Sequence, residues 1–393
     1  MIDTTLADLS LRITDGKHGD CRDCANSGFY FISCKDVNDG QIIYENARQI
    51  YEEDFFDAHK RTRLEPDDIL VTNSGTIGRM AFIEDVPATY RTTFQKSVAI
   101  VKPDKERVLP QYLYYQLQNC VDGFVHQSNG SAQKNLLLST MRAFTMRIHE
   151  NMEEQLRIAS ILAAYDNLIK NNRKQIKLLE EAAQRLYKEW FVDLRFPGHE
   201  TTPIVDGVPE GWKVRSLTEV ANVVMGQSPK SEFYNREGKG LPFHQGVGSF
   251  GARFVIDSTY STSFTRIAEA GSILFSVRAP VGRLNMTKNK VVIGRGLAAI
   301  NHRAGKQSYL FYLLKERFFK DDIIGNGAIF ASISKDELLG QKFMVPTDEI
   351  VDRFDAIVRD IDRKIAGLAD QIILLTEARD RLLPKLMSGE IEV

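Results

Sequence analysis

The chain has 393 residues, 43% of them hydrophobic and 26% charged, and its 51 Lys and Arg against 52 Asp and Glu leave a net charge of −1. That is the balance of ordinary globular protein, long enough for two or three domains. No apolar run nears the ~18 residues of a membrane span. The near-neutral charge speaks against a lone, tightly DNA-binding chain, although a basic face or a complex can still supply such binding.

In chain order, MIDTTLADLS lacks the basic start and apolar stretch of a secretory signal, so a cytoplasmic protein without membrane contact is expected. All four cysteines lie in the first half. Cys21-Arg-Asp-Cys24 has zinc half-site spacing, but no second half follows, and free thiols fit better. Phe29–Ile32, Asp68–Thr72, Arg79–Ile83 and Ser97–Val101 read as strands punctuated by turn residues. A helix is expected over Gln111–Gln118, then a polar segment from Ser128 to Asn135.

From Asn151 to Phe191 neither proline nor glycine interrupts the chain. Ile158, Leu162, Tyr165, Ile169, Asn172, Ile176, Leu179, Ala183 and Leu186 are spaced four and three apart in alternation, the signature of a coiled-coil seam. A helix of this length spans roughly 60 Å. Phe196-Pro197-Gly198 ends it.

The second half replays the first. An offset of 196 carries the seam onto Phe354, Val358, Ile361, Ile365, Leu368, Ile372, Leu375, Arg379 and Leu382. Gly271–Ser276 answers Asp67–Thr72, Pro280–Arg283 answers Thr76–Arg79, Asn326-Gly327 answers Asn129-Gly130, and Phe343–Pro346 answers Met146–His149. Thr89–Gln95 and Lys288–Gly296 show no likeness. The expected fold is an α/β (α+β) tandem duplication: two mixed domains separated by two long helices that form an antiparallel coiled coil. Its parts are residues 1–150 and 197–347 as domains, with 151–196 and 348–393 as helices. Asn172 and Arg379 are the polar seam positions, a type that fixes register. The plainer alternative has each helix packed only on its own domain.

Motifs for nucleotide, metallohydrolase, serine-hydrolase or deaminase chemistry are missing, and Gly75-x-x-Gly78 and Gly294-x-Gly296 fit turns. Asp67-Asp68 and Asp321-Asp322 read as solvated charges. No catalytic or metal-binding residue is assigned. The loops instead carry side chains suited to phosphates and base edges. In the first half these are Lys17, His18, Asn73, Ser74, Arg79, Arg91, Thr92, Gln95, Lys96, Gln133 and Lys134. In the second they are Gln227, Ser228, Lys230, Gln245, Arg278, Arg283 and Arg295. Each alone is an ordinary surface residue; only their clustering, once per half, singles them out.

DDILVTNSGTIGRMAFIED and its echo GSILFSVRAPVGR, NGSAQKNLLLSTMRAFTMRIHENMEEQLRIASILAAYDNLI, LLEEAAQRLYKEWFVDLRFPG and LLTEARDRLLPKLMSGEIEV together resemble the specificity subunits of type I restriction–modification systems over essentially the whole chain. IVDGVPEGW, residues 204–212, is similar to that family's lead-in to the second recognition domain. The resemblance implies a non-catalytic subunit whose two target-recognition domains each read half of a split double-stranded DNA target. The helices would act as the ruler between the half-sites. It implies two methyltransferase subunits as partners, with S-adenosylmethionine, and restriction/translocase subunits with ATP and Mg; this chain itself holds no cofactor. It supplies no base-contacting positions, and the CRDC segment departs from the pattern. The competing reading is a coiled-coil adaptor whose two tandem domains bind protein or glycan.

Overall fold

Strand Val98–Pro103 lies between Ser10–Asp15 and Ile69–Thr72, and Met80–Phe82 completes an antiparallel four-stranded sheet. Its two central strands are apolar on both faces because both faces are covered. Ile69, Val71, Ala99 and Val101 point into one core with helix Pro110–Asn119, while Leu70, Val98 and Ile100 point into another with Ile32 and Phe94. The period-two alternation of a strand divides one continuous apolar run between two cores.

The computed structural model describes residues 1–130, 134–319 and 332–393. Gln133, Asp321-Asp322 and Asn326-Gly327 lie outside the described residues. The chain divides into two units, Met1–Asn171 with Gln371–Val393, and Asn172–Asp370.

In unit one, a parallel pair, Tyr30–Ile32 with Thr92–Phe94, covers the second face of the sheet. Ile2–Thr5 pairs antiparallel with Thr145–Ile148 ahead of the first long helix. That helix, Met152–Tyr187, sets Ile158, Ala159 and Leu162 against Tyr112, Leu113, Leu386 and Met387. Farther along it Asp166 meets Arg379 of the second long helix, Asp348–Ser388, so the two run antiparallel.

Unit two repeats this topology. Its sheet runs Ala221–Met225, Leu297–His302, Ile273–Ser276, Leu284–Met286. Leu241–His244 pairs in parallel with Val291–Ile293, and Lys213–Ser216 antiparallel with Lys342–Val345. The first helix passes into a π turn, Lys188–Val192, that buries Trp190, and Tyr187 packs on Phe354 at 5.7 Å. Among the described residues no helix is long and apolar enough to cross a membrane.

The four expected strands and the helix over Gln111–Gln118 stand within a residue or two of those observed, the long helices end at Val192 and Ser388 rather than at 196 and 393, and every seam position is buried or half-buried. Two readings change. The pairings equate Thr92–Phe94 with Val291–Ile293, so the strands inside Thr89–Gln95 and Lys288–Gly296 are structural counterparts despite their dissimilar letters. Asp68 is buried rather than solvated, bonded to the Glu65 amide at 2.8 Å and to Lys102 Nζ at 2.7 Å.

Candidate nucleic-acid interface

In both units the loops at one end of the sheet are fastened together by backbone hydrogen bonds at matching positions. In unit one Gly16 N–H donates to Val98 O, Lys17 N–H to Phe94 O, and Gln95 N–H to Ile32 O. In unit two Gly226 N–H donates to Leu297 O, Gln227 N–H to Ile293 O, and Gly294 N–H to His244 O. A Cβ on Gly16 would collide with the Phe94 carbonyl oxygen, and one on Gly226 with that of Gly294. Glycine is needed at both crossings because one backbone passes against another.

The next loop joins in the same way. Asn73 N–H donates to Ser97 O and accepts at its own carbonyl from Leu136 N–H; Val277 does both with Gly296 and Ile333. Ser74 bridges Asn135 as Arg278 bridges Ser332. Inside this loop the Thr72 hydroxyl accepts from Arg79 N–H at 2.9 Å, and the Ser276 hydroxyl from Arg283 N–H at 2.8 Å.

This ladder aligns the candidate residues independently of their letters. Lys17 falls on Gln227, His18 on Ser228, Ser74 on Arg278, Arg79 on Arg283, Lys96 on Arg295, and Gln95 on Gly294. Of these, His18, Arg79, Lys96, Gln227, Arg278, Arg283 and Arg295 are exposed. Lys134 joins the first set, its carbonyl accepting from Gly75 N–H. Gln245 joins the second, its side-chain oxygen accepting from Ser228 Oγ at 2.8 Å.

Thr92, Asn73 and Arg91 do not present their side chains at the exposed loop end. Thr92 is fully buried, and its hydroxyl is taken by Ala88 O and Tyr44 Oη, so it faces the interior. Asn73 is 5% exposed and supports the loop from beneath. Arg91 lies over the Phe29 ring, at the opposite end of the Thr92–Phe94 strand from Gln95. Lys230 is exposed, with Glu232 at 3.8 Å.

The charges in unit one are partly committed. Asp57 bonds Lys17 Nζ at 3.0 Å and raises its pKa, while His18 Nε2 lies 2.8 Å from Asp15. Asp57 is largely exposed, so this surface pair is weak and a phosphate can take its place. Among the described residues, Lys96, Lys134, Arg79, Arg278 and Arg295 form no ion pair.

Ser33, in unit one, was not evident from the sequence. The parallel strand pairing brings it to the position of Gln245, and its hydroxyl caps Asp36 at 2.9 Å. The CRDC segment is held by ion pairs, Arg22 to Asp54 and Arg48 to Asp20 and Asp23, with Cys21 packed among Phe31, Ile50 and Phe55. All four cysteines are free thiols, and among the described residues no cluster of His, Cys, Asp and Glu suits a metal.

The duplication has its match in known proteins. The model of the type I restriction modification DNA specificity domain matches residues 19–181 and again 209–372. The chain belongs to the type I restriction–modification DNA-specificity family. The MjaX specificity subunit of a type I restriction enzyme of Methanocaldococcus jannaschii is 30% identical over 324 residues, 81% of this chain and 76% of that protein. The MjaIX specificity subunit of the same organism is 27% identical over 343 residues, 83% and 78% of the two chains. A crystal structure of the S subunit of a type I system from M. genitalium shares the fold at TM-score 0.58 and 16% identity, over 98% of this chain and 96% of that one. This family member is a non-catalytic, DNA sequence-specificity subunit with two recognition domains. The adaptor reading falls away.

Proposed function

We propose that each unit of this specificity subunit reads one half of a split double-stranded DNA target through its fastened loop end. The observation that carries the reading is the ladder itself. Five candidates of the first half (Lys17, His18, Ser74, Arg79 and Lys96) fall on positions equivalent to five of the second, as two readers built on one frame require. Lys17, His18, Ser74, Arg79, Gln95, Lys96 and Lys134 would serve one half-site. Gln227, Ser228, Gln245, Arg278, Arg283 and Arg295 would serve the other, with cations at phosphates and amides at base edges. Arg91 and Lys230 are peripheral to these sets, and Gln133 lies outside the described residues.

Residues 1–150 and 197–347 are then the recognition domains, and 151–196 and 348–393 the spacer helices that set the gap between half-sites. Two methyltransferase subunits would bring S-adenosylmethionine, and restriction/translocase subunits ATP and Mg. The assembly would act on DNA in the cytoplasm. The test is a genome-wide map of N6-methyladenine with and without this gene in a strain carrying the partner methyltransferase. Disappearance of a single split motif is the expected result; an unchanged map overturns the reading.

A further inference from the structure

Gln245 sits in a socket built by two glycines. A Cβ on Gly294 would sit 2.6 Å from its Oε1, and a Cβ on Gly296 would collide with its main-chain carbonyl. That carbonyl accepts from Gly296 N–H at 3.1 Å. Both glycines of Gly294-Arg295-Gly296 thus make room for one residue.

The amide turns its oxygen toward Ser228. Arg295 N–H reaches Ser228 Oγ at 3.3 Å, and Ser228 Oγ lies 2.8 Å from Gln245 Oε1. In this arrangement the serine hydroxyl accepts from Arg295 N–H and donates its hydrogen to Gln245 Oε1. This leaves Gln245 with one Oε1 lone pair and both Nε2 hydrogens, on an exposed side chain. An acceptor and a donor side by side match the N6-amino group and N7 of adenine in the major groove.

We propose that Gln245 reads an adenine in the half-site of the second recognition domain, with Ser228 as its positioning residue. The inference rests on the functional reading above and adds the base and the reader. Unit one has no equivalent, because Ser33 there gives its hydroxyl and its amide to Asp36 at 2.9 and 2.8 Å. The two half-sites are therefore read by different chemistry on one frame.

The experiment uses the full chain assembled with its methyltransferase, and duplex libraries randomised over one half-site at a time. Gln245→Ala is expected to keep the first half-site and the spacing, and to lose about ten-fold or more of the discrimination at one A·T pair in the second. Gln245→Glu turns the donor into an acceptor and should shift tolerance at that pair toward cytosine, whose N4 amino group donates. Ser228→Ala should weaken the same position several-fold and no other. An unchanged motif in Gln245→Ala, relaxation at a G·C pair, or an even loss over all sequences overturns the assignment. So does unfolding of both Gln245 variants, which would make the residue structural. A wild-type assembly that yields no split motif instead sinks the functional reading beneath it.

Discussion

Arg379 Nη1 lies 2.6 Å from Asp166 Oδ1, and the other oxygen of that carboxylate accepts from Tyr115 Oη at 2.7 Å. One polar seam position of the second helix is thereby tied, through a carboxylate on the first, to the helix that floors the unit-one sheet. Removing the guanidinium leaves a half-buried carboxylate with one partner fewer. Arg379→Ala should cost about 1–2 kcal/mol in chemical denaturation. A double-mutant cycle with Asp166→Asn should return a coupling of about 1 kcal/mol; strictly additive effects would show the pair to be idle.

Asp68 gives unit one a pH response of unusual sign. Burial pushes its carboxyl up to about 6, against the pull of Lys102 and the Glu65 amide. The folded state thus holds a proton that the unfolded chain releases near pH 4. The stability this group contributes is complete below about pH 4 and is lost as pH rises through about 6. The melting-temperature difference between wild type and Asp68→Asn should therefore shrink or reverse from pH 4.5 to 7.5. A difference that grows with pH would contradict this.

Gly16→Ala and Gly226→Ala place a methyl group where a neighbouring backbone carbonyl already lies. Each should destabilise by roughly 1–3 kcal/mol and shift the loop end of its own unit. Methylation mapping should then show degraded selectivity in one half-site per variant, and a different half-site for each. Equal degradation of both halves in either variant would break the one-unit, one-half-site assignment.

Lys96 and Arg295 hold equivalent positions and, among the described residues, have no carboxylate partner. If each meets a phosphate, alanine at either site should weaken binding by the assembled complex similarly for all sequences. The slope of log affinity against log salt should fall by about one per residue. A change of preferred base with an unaltered slope would assign base contact instead.

Deleting one heptad from each long helix, in matched positions, shortens the pair by roughly 10 Å, about three base pairs of DNA. The accepted gap should shrink by that amount, or methylation should cease. An unchanged gap with full activity would remove the ruler role.

Much of this fold is legible in the letters because apolar side chains with strict spacing create it. The seam from Ile158 to Leu186 and the runs Ile69–Thr72 and Val98–Val101 are examples. Strand Ile2–Thr5 was not, because it is short, polar and held by backbone pairing with Thr145–Ile148. Helix Glu52–Thr62 is equally faint in the letters; its EEDFFDAHKRT buries only Phe55, Ala58 and Thr62. The loop set was half legible. Residue type marked Lys17 or Gln245, but type alone cannot separate an exposed threonine from Thr92, which points inward. Nor could it expose Ser33, which only the parallel pairing of strands distant in sequence brings to the loop end.

The Asp166 pairing has a counterpart with a different donor. Asp362, 196 residues on, takes Arg253 at 2.7 Å, and that guanidinium also lies 3.4 Å from the Phe311 ring centre. Here the cation comes from the recognition domain, whereas Asp166 receives it from a helix, and Ala183 occupies the position that matches Arg379. The halves are therefore not interchangeable cassettes. Grafting the second domain into the first place would set two cations on one carboxylate, and the reverse graft would leave Asp362 with none. A chimera that exchanges domains must exchange Arg379 and Ala183 with them.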